Sequence, residues 1–201
     1  MEKRAAVDQF GHAHGMQRAG IRAYLDRYAA AWPEEAELVG RFRGFVEENP
    51  RCLSRACVPG HITASAWILD SLDSAALLTH HKKLRKWLQL GGHVEGEEDV
   101  ALASLREARE ESGMADFELV RWRGGPLRPL DLDVHTIPAT TSEPAHLHWD
   151  VRFLLRAREG QQLVMSSESN RLQWVQLEEL QRYTDEESVL RMHRKATGLF
   201  S

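Results

Sequence analysis

Three glutamates at helical spacing constrain this chain more than any other feature. In the stretch Gly92-His-Val-Glu-Gly-Glu-Glu98-Asp-Val-Ala-Leu-Ala-Ser-Leu-Arg106-Glu107-Ala-Arg-Glu110-Glu111-Ser-Gly113-Met114, Val100, Ala101, Leu105, Ala108 and Ser112 are apolar or small with helical period. One side of a helix from about Asp99 to Ser112 therefore lies on a sheet. Gly113 stands just past its end, where a left-handed residue closes a helix. Glu107, Glu110 and Glu111 fall at i, i+3 and i+4 and share one face of the last turns. They repel one another and lie near the negative end of the helix dipole, the unfavourable end for a carboxylate. A hard divalent cation removes the conflict, because carboxylate oxygens are the ligands that Mg²⁺ and Mn²⁺ prefer. Arg106 reaches Glu110 at i+4 and holds it in place. Gly91 and Gly92 let the backbone approach a cation or a phosphate closely.

The rest of the chain gives the setting. Its 201 residues suit one domain with an appendage, and 42% hydrophobic against 28% charged residues is an ordinary globular composition. With 26 Lys and Arg against 30 Asp and Glu, the net charge of −4 argues against non-specific grip on nucleic acid or anionic lipid. Cys52 and Cys57 are too few for a disulfide framework and lack C-x-x-C spacing. The N-terminus has no apolar core of a secretory signal, and no stretch reaches the length of a membrane span, so a cytoplasmic protein is expected.

Ile21, Tyr24, Leu25, Tyr28 and Trp32 follow a helical repeat, and Pro33 opens a second helix with Leu38, Val39, Phe42, Phe45 and Val46 on its apolar side. Pro50 ends it. From Pro59 the texture changes to strands: a hairpin of 61–70 and 75–79, then 87–90, 117–122, 132–137, 146–156, 163–165 and 172–177. A last helical stretch runs from Leu177 to about Lys195. Helices before residue 58 and mostly strands after it give an α+β class with a mixed sheet. Residues 1–58 are expected as a helical extension, a candidate dimer contact or lid, and 59–201 as the principal domain.

The segment 92–114 resembles the Nudix box: Gly, five residues, Glu, seven residues, Arg-Glu, an apolar residue, any residue, Glu-Glu, any residue, Gly, an apolar residue. Gly92, Glu98, Arg106-Glu107, Ala108, Glu110-Glu111, Gly113 and Met114 fill its nine defined places. The resemblance implies the Nudix fold, a mixed sheet sandwiched between helices, dependent on Mg²⁺ or Mn²⁺. It also implies hydrolysis of a diphosphate bond in a nucleoside diphosphate linked to another group. Carried over, Glu107, Glu110 and Glu111 are metal ligands, Gly91 or Gly92 adds a carbonyl, Glu98 is an outer metal contact and Arg106 orients. Many Nudix enzymes place a further Glu before a late strand that begins with Trp. Glu168, six residues before Trp174, has that place and is a candidate general base beside Glu110 and Glu111. The substrate expected is a small nucleotide or other diphosphate.

Seven of the ten histidines fall in or beside the expected sheet: His61, His80, His81, His93, His135, His146 and His148. Alternation puts His146, His148 and Asp150 on one strand face, and Asp131, Asp133 and His135 on another, with 138–144 as the loop between them. His61, His93, His135, His146 and His148 are thus candidates for a second divalent metal site or a substrate contact. Isopentenyl diphosphate isomerases resemble this arrangement, having the Nudix fold and histidine metal ligands, one of them after a Cys-Gly pair. Here Gly91 takes the place of that cysteine and the full hydrolase box is kept, so an isomerase-like protein is the alternative. A silent nucleotide-binding module would be expected to lack box carboxylates. Lys82, Lys83, Arg85, Lys86 and Arg152 are candidate substrate grips, and Trp87 and Trp149 candidate base-stacking surfaces.

Overall fold

The computed structural model describes residues 18–82, 84–95, 99–141, 143–164 and 169–200. Helix α1 (18–31) buries Ile21, Tyr24, Leu25 and Tyr28 on one side. Pro33 opens a short 3-10 turn, Pro33–Glu35, that feeds α2 (Ala36–Glu48). Its buried residues are Val39, Phe42, Phe45 and Val46. Both helices pack on a sheet of eight strands: β1 (Gly60–Leu69), β2 (Ala75–His81), β3 (Trp87–Leu88), β4 (Leu90–His93), β5 (Phe117–Leu119), β6 (Asp131–Ile137), β7 (His146–Ala157) and β8 (Ser169–Gln176). Between β4 and β5 lies α3 (Val100–Ser112). After β8 come α4 (Leu180–Tyr183) and α5 (Glu187–Phe200).

The strand order is β3-β2-β1-β7-β5, with β4 paired to β1, β6 to β7 and β8 to β2. β1 and β7 run parallel at the centre, and every other pair is antiparallel. The sheet is therefore mixed, and α+β is the class. The register of the central pair sets His61 beside His148, Thr63 beside Asp150 and Ser65 beside Arg152.

The two faces of this pair differ in kind. One carries Ile62, Ala64, Ala66 and Ile68 of β1 with Trp149, Val151, Phe153 and Leu155 of β7, sealed under α1, α2 and α3 in one apolar core. Tyr24 meets Phe153 edge-on at 5.1 Å, and Phe45 stacks on Trp149 at 4.4 Å. The other face is polar at one end, with His61, Thr63, Ser65, His148 and Asp150. It is apolar at the other, where Trp67, Leu69 and Leu154 pack with Val189, Met192 and Ala196 of α5.

Between the two ends lies a buried charge network. Arg152 is 2% exposed and donates from Nε to Asp150 at 2.8 Å and from Nη1 to Asp131 at 3.2 Å, with Nη2 3.1 Å from Asp133. From α5, Arg191 binds Asp131 and Asp133, and Lys195 binds Asp131 at 2.7 Å and the Tyr28 hydroxyl at 2.5 Å. Burial opposes the charge of Asp131 and Asp133, but hydrogen bonds, from Arg191 to Asp131 and from His135 to Asp133, together with the surrounding cations outweigh it and hold both carboxyls below the ordinary range.

Several elements depart from the sequence expectation. The strand of 87–90 divides at Gln89, so that β3 pairs with β2 and β4 with β1. Residues 117–122 end as a strand at Leu119, and Trp122–Gly124 is a 3-10 turn. Residues 161–164 form no strand; Met165 lies outside the described residues. The last helical stretch breaks at Thr184, whose backbone is extended and whose hydroxyl accepts the Glu186 N–H. That break turns α5 so that Arg191 and Lys195 reach β6. No helix among the described residues is long and apolar enough to cross a membrane.

Candidate active site

The carboxylate face of α3 is fixed from both helix ends. Asp99 caps the N-terminus by accepting the Ala101 N–H at 2.9 Å, and it also accepts the Tyr24 hydroxyl at 3.0 Å. The N-terminal helices thus support the box helix directly. At the other end Gly113 is left-handed (φ +71°), and a Cβ there would meet the Val164 side chain at 2.4 Å. Ala108 and Ser112 face the core.

Arg106 ties the three parts of the box together. Its Nη1 donates to Glu107 and Glu110 at 3.0 Å each, and its Nη2 donates to the carbonyl of His93 at 2.8 Å. Glu107 is pressed against Gly92, where a Cβ would stand 2.7 Å from its carboxyl carbon and both its oxygens. Glu111 accepts the Gly91 N–H at 3.3 Å. A Cβ on Gly91 would meet the Ser65 Oγ at 2.4 Å and the Ala64 carbonyl at 2.7 Å. Glu107 is the inner carboxylate, its side chain 14% exposed, and Glu110 the outer, at 59%.

These carboxylates line a cleft of about 620 Å³ together with Arg106, Gly91, Gly92, Glu95, Gln89, Arg55, His93, His135 and His148. Thr63, Ser65 and Asp150 also line it. Asp150 is 1% exposed and accepts from Thr63 Oγ1 at 3.0 Å and from Ser65 Oγ at 2.8 Å, besides Arg152. Arg55 at the rim is held by Glu143 at 2.7 Å.

At one end the cleft runs into the histidines. The ring of His61 lies 5.0 Å from that of His93, 5.1 Å from His146 and 4.8 Å from His148, and His135 lies 5.4 Å from His148. All five candidate histidines are thus brought together. Burial, then the neighbouring imidazoles, lowers His61 to about 4 and His148 to about 2, so both are neutral at pH 7. His80 stands apart, against Trp87.

Glu98 and Glu168 lie outside the described residues, as does Lys83. Arg152 faces no substrate: α5 covers that end of the sheet face, and the side chain is consumed by three aspartates. Trp149 is likewise core, held between Phe42 and Phe45. Lys86 pairs with Glu186 at 2.5 Å. None of residues 18–48 lines the cleft, so α1 and α2 support the site from below and form no lid over it. Alternation put Asp150 on the strand face of His146 and His148, but Thr63 and Ser65, which donate to it, went unrecognised from sequence. Only the parallel register of β1 on β7 places them at the cleft.

The comparisons bear on the family and the fold. The sequence model of the NUDIX domain matches residues 59–195. A NUDIX-family hydrolase from Clostridium perfringens superposes with a TM-score of 0.56 at 26% identity, over 70% of this chain and 98% of that one. An Ap4A hydrolase of C. elegans, in a binary complex, superposes with a TM-score of 0.54 at 17% identity, over 69% and 96% of the two chains, a likeness of fold. Among curated proteins none matches the chain. With a family match across most of its length and every described box residue in place, the chain belongs to the Nudix hydrolase family.

Proposed function

We propose that this protein hydrolyses a phosphoanhydride bond in a nucleoside diphosphate linked to another group, with Mg²⁺ or Mn²⁺ held by Glu107, Glu110 and Glu111. The observation that carries this reading is the carboxylate cradle. Gly92 makes room where any side chain would displace Glu107, Gly91 fixes Glu111, and Arg106 spans Glu107 and Glu110. Such an all-oxygen donor set suits a hard cation. When bound, the cation would neutralise the negative charge that develops as water attacks a phosphate.

The chain's own groups do the rest. Arg106 keeps Glu107 and Glu110 from turning away and locks the loop to the helix through the His93 carbonyl. Arg55, at the cleft rim, offers a positive charge to a substrate phosphate. The proton of the attacking water passes to a carboxylate, for which Glu110, Glu111 and Glu168 are the candidates; Glu98 serves as an outer contact. A small nucleotide fits a cleft of this size, and no surface for a membrane is invoked. The isomerase reading is disfavoured at Gly91, where a cysteine side chain would collide with Ser65 and the Ala64 carbonyl.

A hydrolysis screen over nucleotide and isoprenoid diphosphates, run with Mg²⁺, Mn²⁺ and Zn²⁺ in parallel, tests the proposal. Release of a phosphate-containing product from a nucleoside diphosphate derivative is the expected result. Conversion of isopentenyl diphosphate without phosphate release would overturn it in favour of an isomerase. Tight binding without turnover of any compound would leave a binding module.

Gly92→Ala gives a more local prediction. The new Cβ meets only the end of a flexible side chain, so Glu107 swings away and the fold relaxes at little cost. Isothermal titration should show weaker Mg²⁺ or Mn²⁺ binding, with a melting temperature close to that of the wild type.

A further inference from the structure

Three strands bring His61, His93 and His148 to one point. His61 on β1 pairs across to His148 on β7, and β4 lies on the other side of β1, with His93 opposite Thr63. The rings form a triangle with sides of 4.8, 5.0 and 5.4 Å, and one ring nitrogen from each lies within 4.8 Å of the other two.

The interior of this triangle is unusual in what it lacks. His61 is 1% exposed, yet among the described residues neither its Nδ1 nor its Nε2 has a hydrogen-bond partner, and the Nε2 of His148 is likewise buried and unpartnered. A buried polar atom without a partner costs about 1–3 kcal/mol, so a ligand that takes one nitrogen from each ring would relieve part of that cost. Each neutral imidazole presents one N–H and one lone pair, and three lone pairs turned to one point are satisfied by a cation.

The surroundings orient the remaining two histidines. His135 Nδ1 lies 3.0 Å from the Asp133 carboxylate, which can only accept, so the proton sits on Nδ1 and the Nε2 lone pair is left. His146 Nδ1 donates to the Pro144 carbonyl at 2.9 Å with the same result. Of the cations nearby, Arg55 is paired with Glu143, and Arg106, which reaches the His93 carbonyl, is paired with Glu107 and Glu110.

We propose that His61, His93 and His148 form a second metal site, for a borderline transition ion of the Zn²⁺ class, distinct from the carboxylate site of the box. Imidazole donors select Zn²⁺, Fe²⁺ or Co²⁺ over Mg²⁺. A tetrahedral ion with bonds of about 2.0–2.1 Å needs its donors roughly 3.3 Å apart, so the rings close slightly around it. Three protein ligands leave a position open, as in catalytic rather than structural sites. His93 and His148 line the same cleft as Glu107, Glu110 and Glu111, so that position faces bound substrate. The ion would grip a substrate oxygen at the histidine end of the cleft. This site stands independently of the hydrolase reading, and either can fail without the other.

The test is metal retention by the full-length protein. The wild type, Glu111→Gln, His93→Gln and His148→Ala are stripped with a chelator, given one equivalent of Co²⁺, desalted and measured for cobalt content and visible absorption. The wild type and Glu111→Gln are expected to keep about one cobalt per chain with the same absorption band. Both histidine variants should lose affinity by more than about 10–100-fold, the loss that follows removal of a group that only supports a metal ligand. Loss of the band in Glu111→Gln with retention in the histidine variants would place the ion on the box carboxylates and overturn the proposal. So would a wild type that keeps no cobalt. If His148→Ala fails to fold by circular dichroism, His93→Gln, half-exposed at the cleft, decides the matter.

Discussion

Replacing Arg152 with methionine is expected to destabilise the protein by about 3–5 kcal/mol, the usual cost of leaving a buried charge uncompensated. Domains of this size are stable by about 5–15 kcal/mol, so the variant would lose a large fraction of its margin. The arginine is sealed between β6, β7 and α5 and pairs with Asp131, Asp133 and Asp150, each on the same sheet face. Methionine fills the volume and supplies no donor. Arg191 and Lys195 still reach Asp131, but among the described residues Asp150 keeps only Thr63, Ser65 and a 3.5 Å contact from Gln89. Chemical denaturation monitored by circular dichroism would measure the loss. Its pH dependence has a defined sign. Asp131 and Asp133 have native values below the ordinary 3.8, so their contribution is present above 3.8 and lost as the pH falls through the native values. The difference between variant and wild type should therefore shrink in acid, where protonation removes the charges that Arg152 neutralises. A gap that is unchanged from pH 7 to pH 3 would show that packing, and not charge, makes the arginine necessary.

The second large effect is on turnover. Glu111→Gln should lower kcat by about 10²–10⁴-fold, the range seen when a group handling a proton or charge at a reacting centre is removed. The amide keeps an oxygen to accept the Gly91 N–H, so geometry is retained while one negative charge is lost. Without metal the variant should be slightly more stable than the wild type, by a few tenths of a kcal/mol, because like charges at i and i+4 near a helix C-terminus repel. Falling activity with rising stability is the signature of a charge kept for function. An active Glu111→Gln protein would remove this carboxylate from the assignment.

The box was legible in the sequence because its determinants are local. Asp99, the small residues at helical spacing and Gly113 set α3 within a single stretch of chain, and the three glutamates follow from periodicity alone. The neighbourhood of His135 and His148 was also readable, since one loop joins their strands and alternation fixes their face. The parallel pairing of β1 with β7 was not, because it joins residues 87 positions apart with no local mark. Arg152 shows the physical reason most clearly. Alternation placed it on the same face as His148 and Asp150, but alternation says nothing of depth. One end of that face opens to the cleft, and the other is closed by α5, whose position depends on the break at Thr184. Trp149, a candidate base-stacking surface from sequence, is core for the same reason, stacked on Phe45.

The central register has a consequence for how the chain reaches this structure at all. If β1 slid by one residue against β7, the side chains of one strand would exchange faces. His61, Thr63 and Ser65 would then enter the apolar core, and Ile62, Ala64 and Ala66 would take their place beside Asp150 and Arg152. The histidine triangle could not form in that arrangement, and Asp150 would lose its hydrogen bonds from Thr63 and Ser65. The polar groups that equip the cleft thus also serve as an error check during folding, since the misaligned chain is the one that cannot satisfy them.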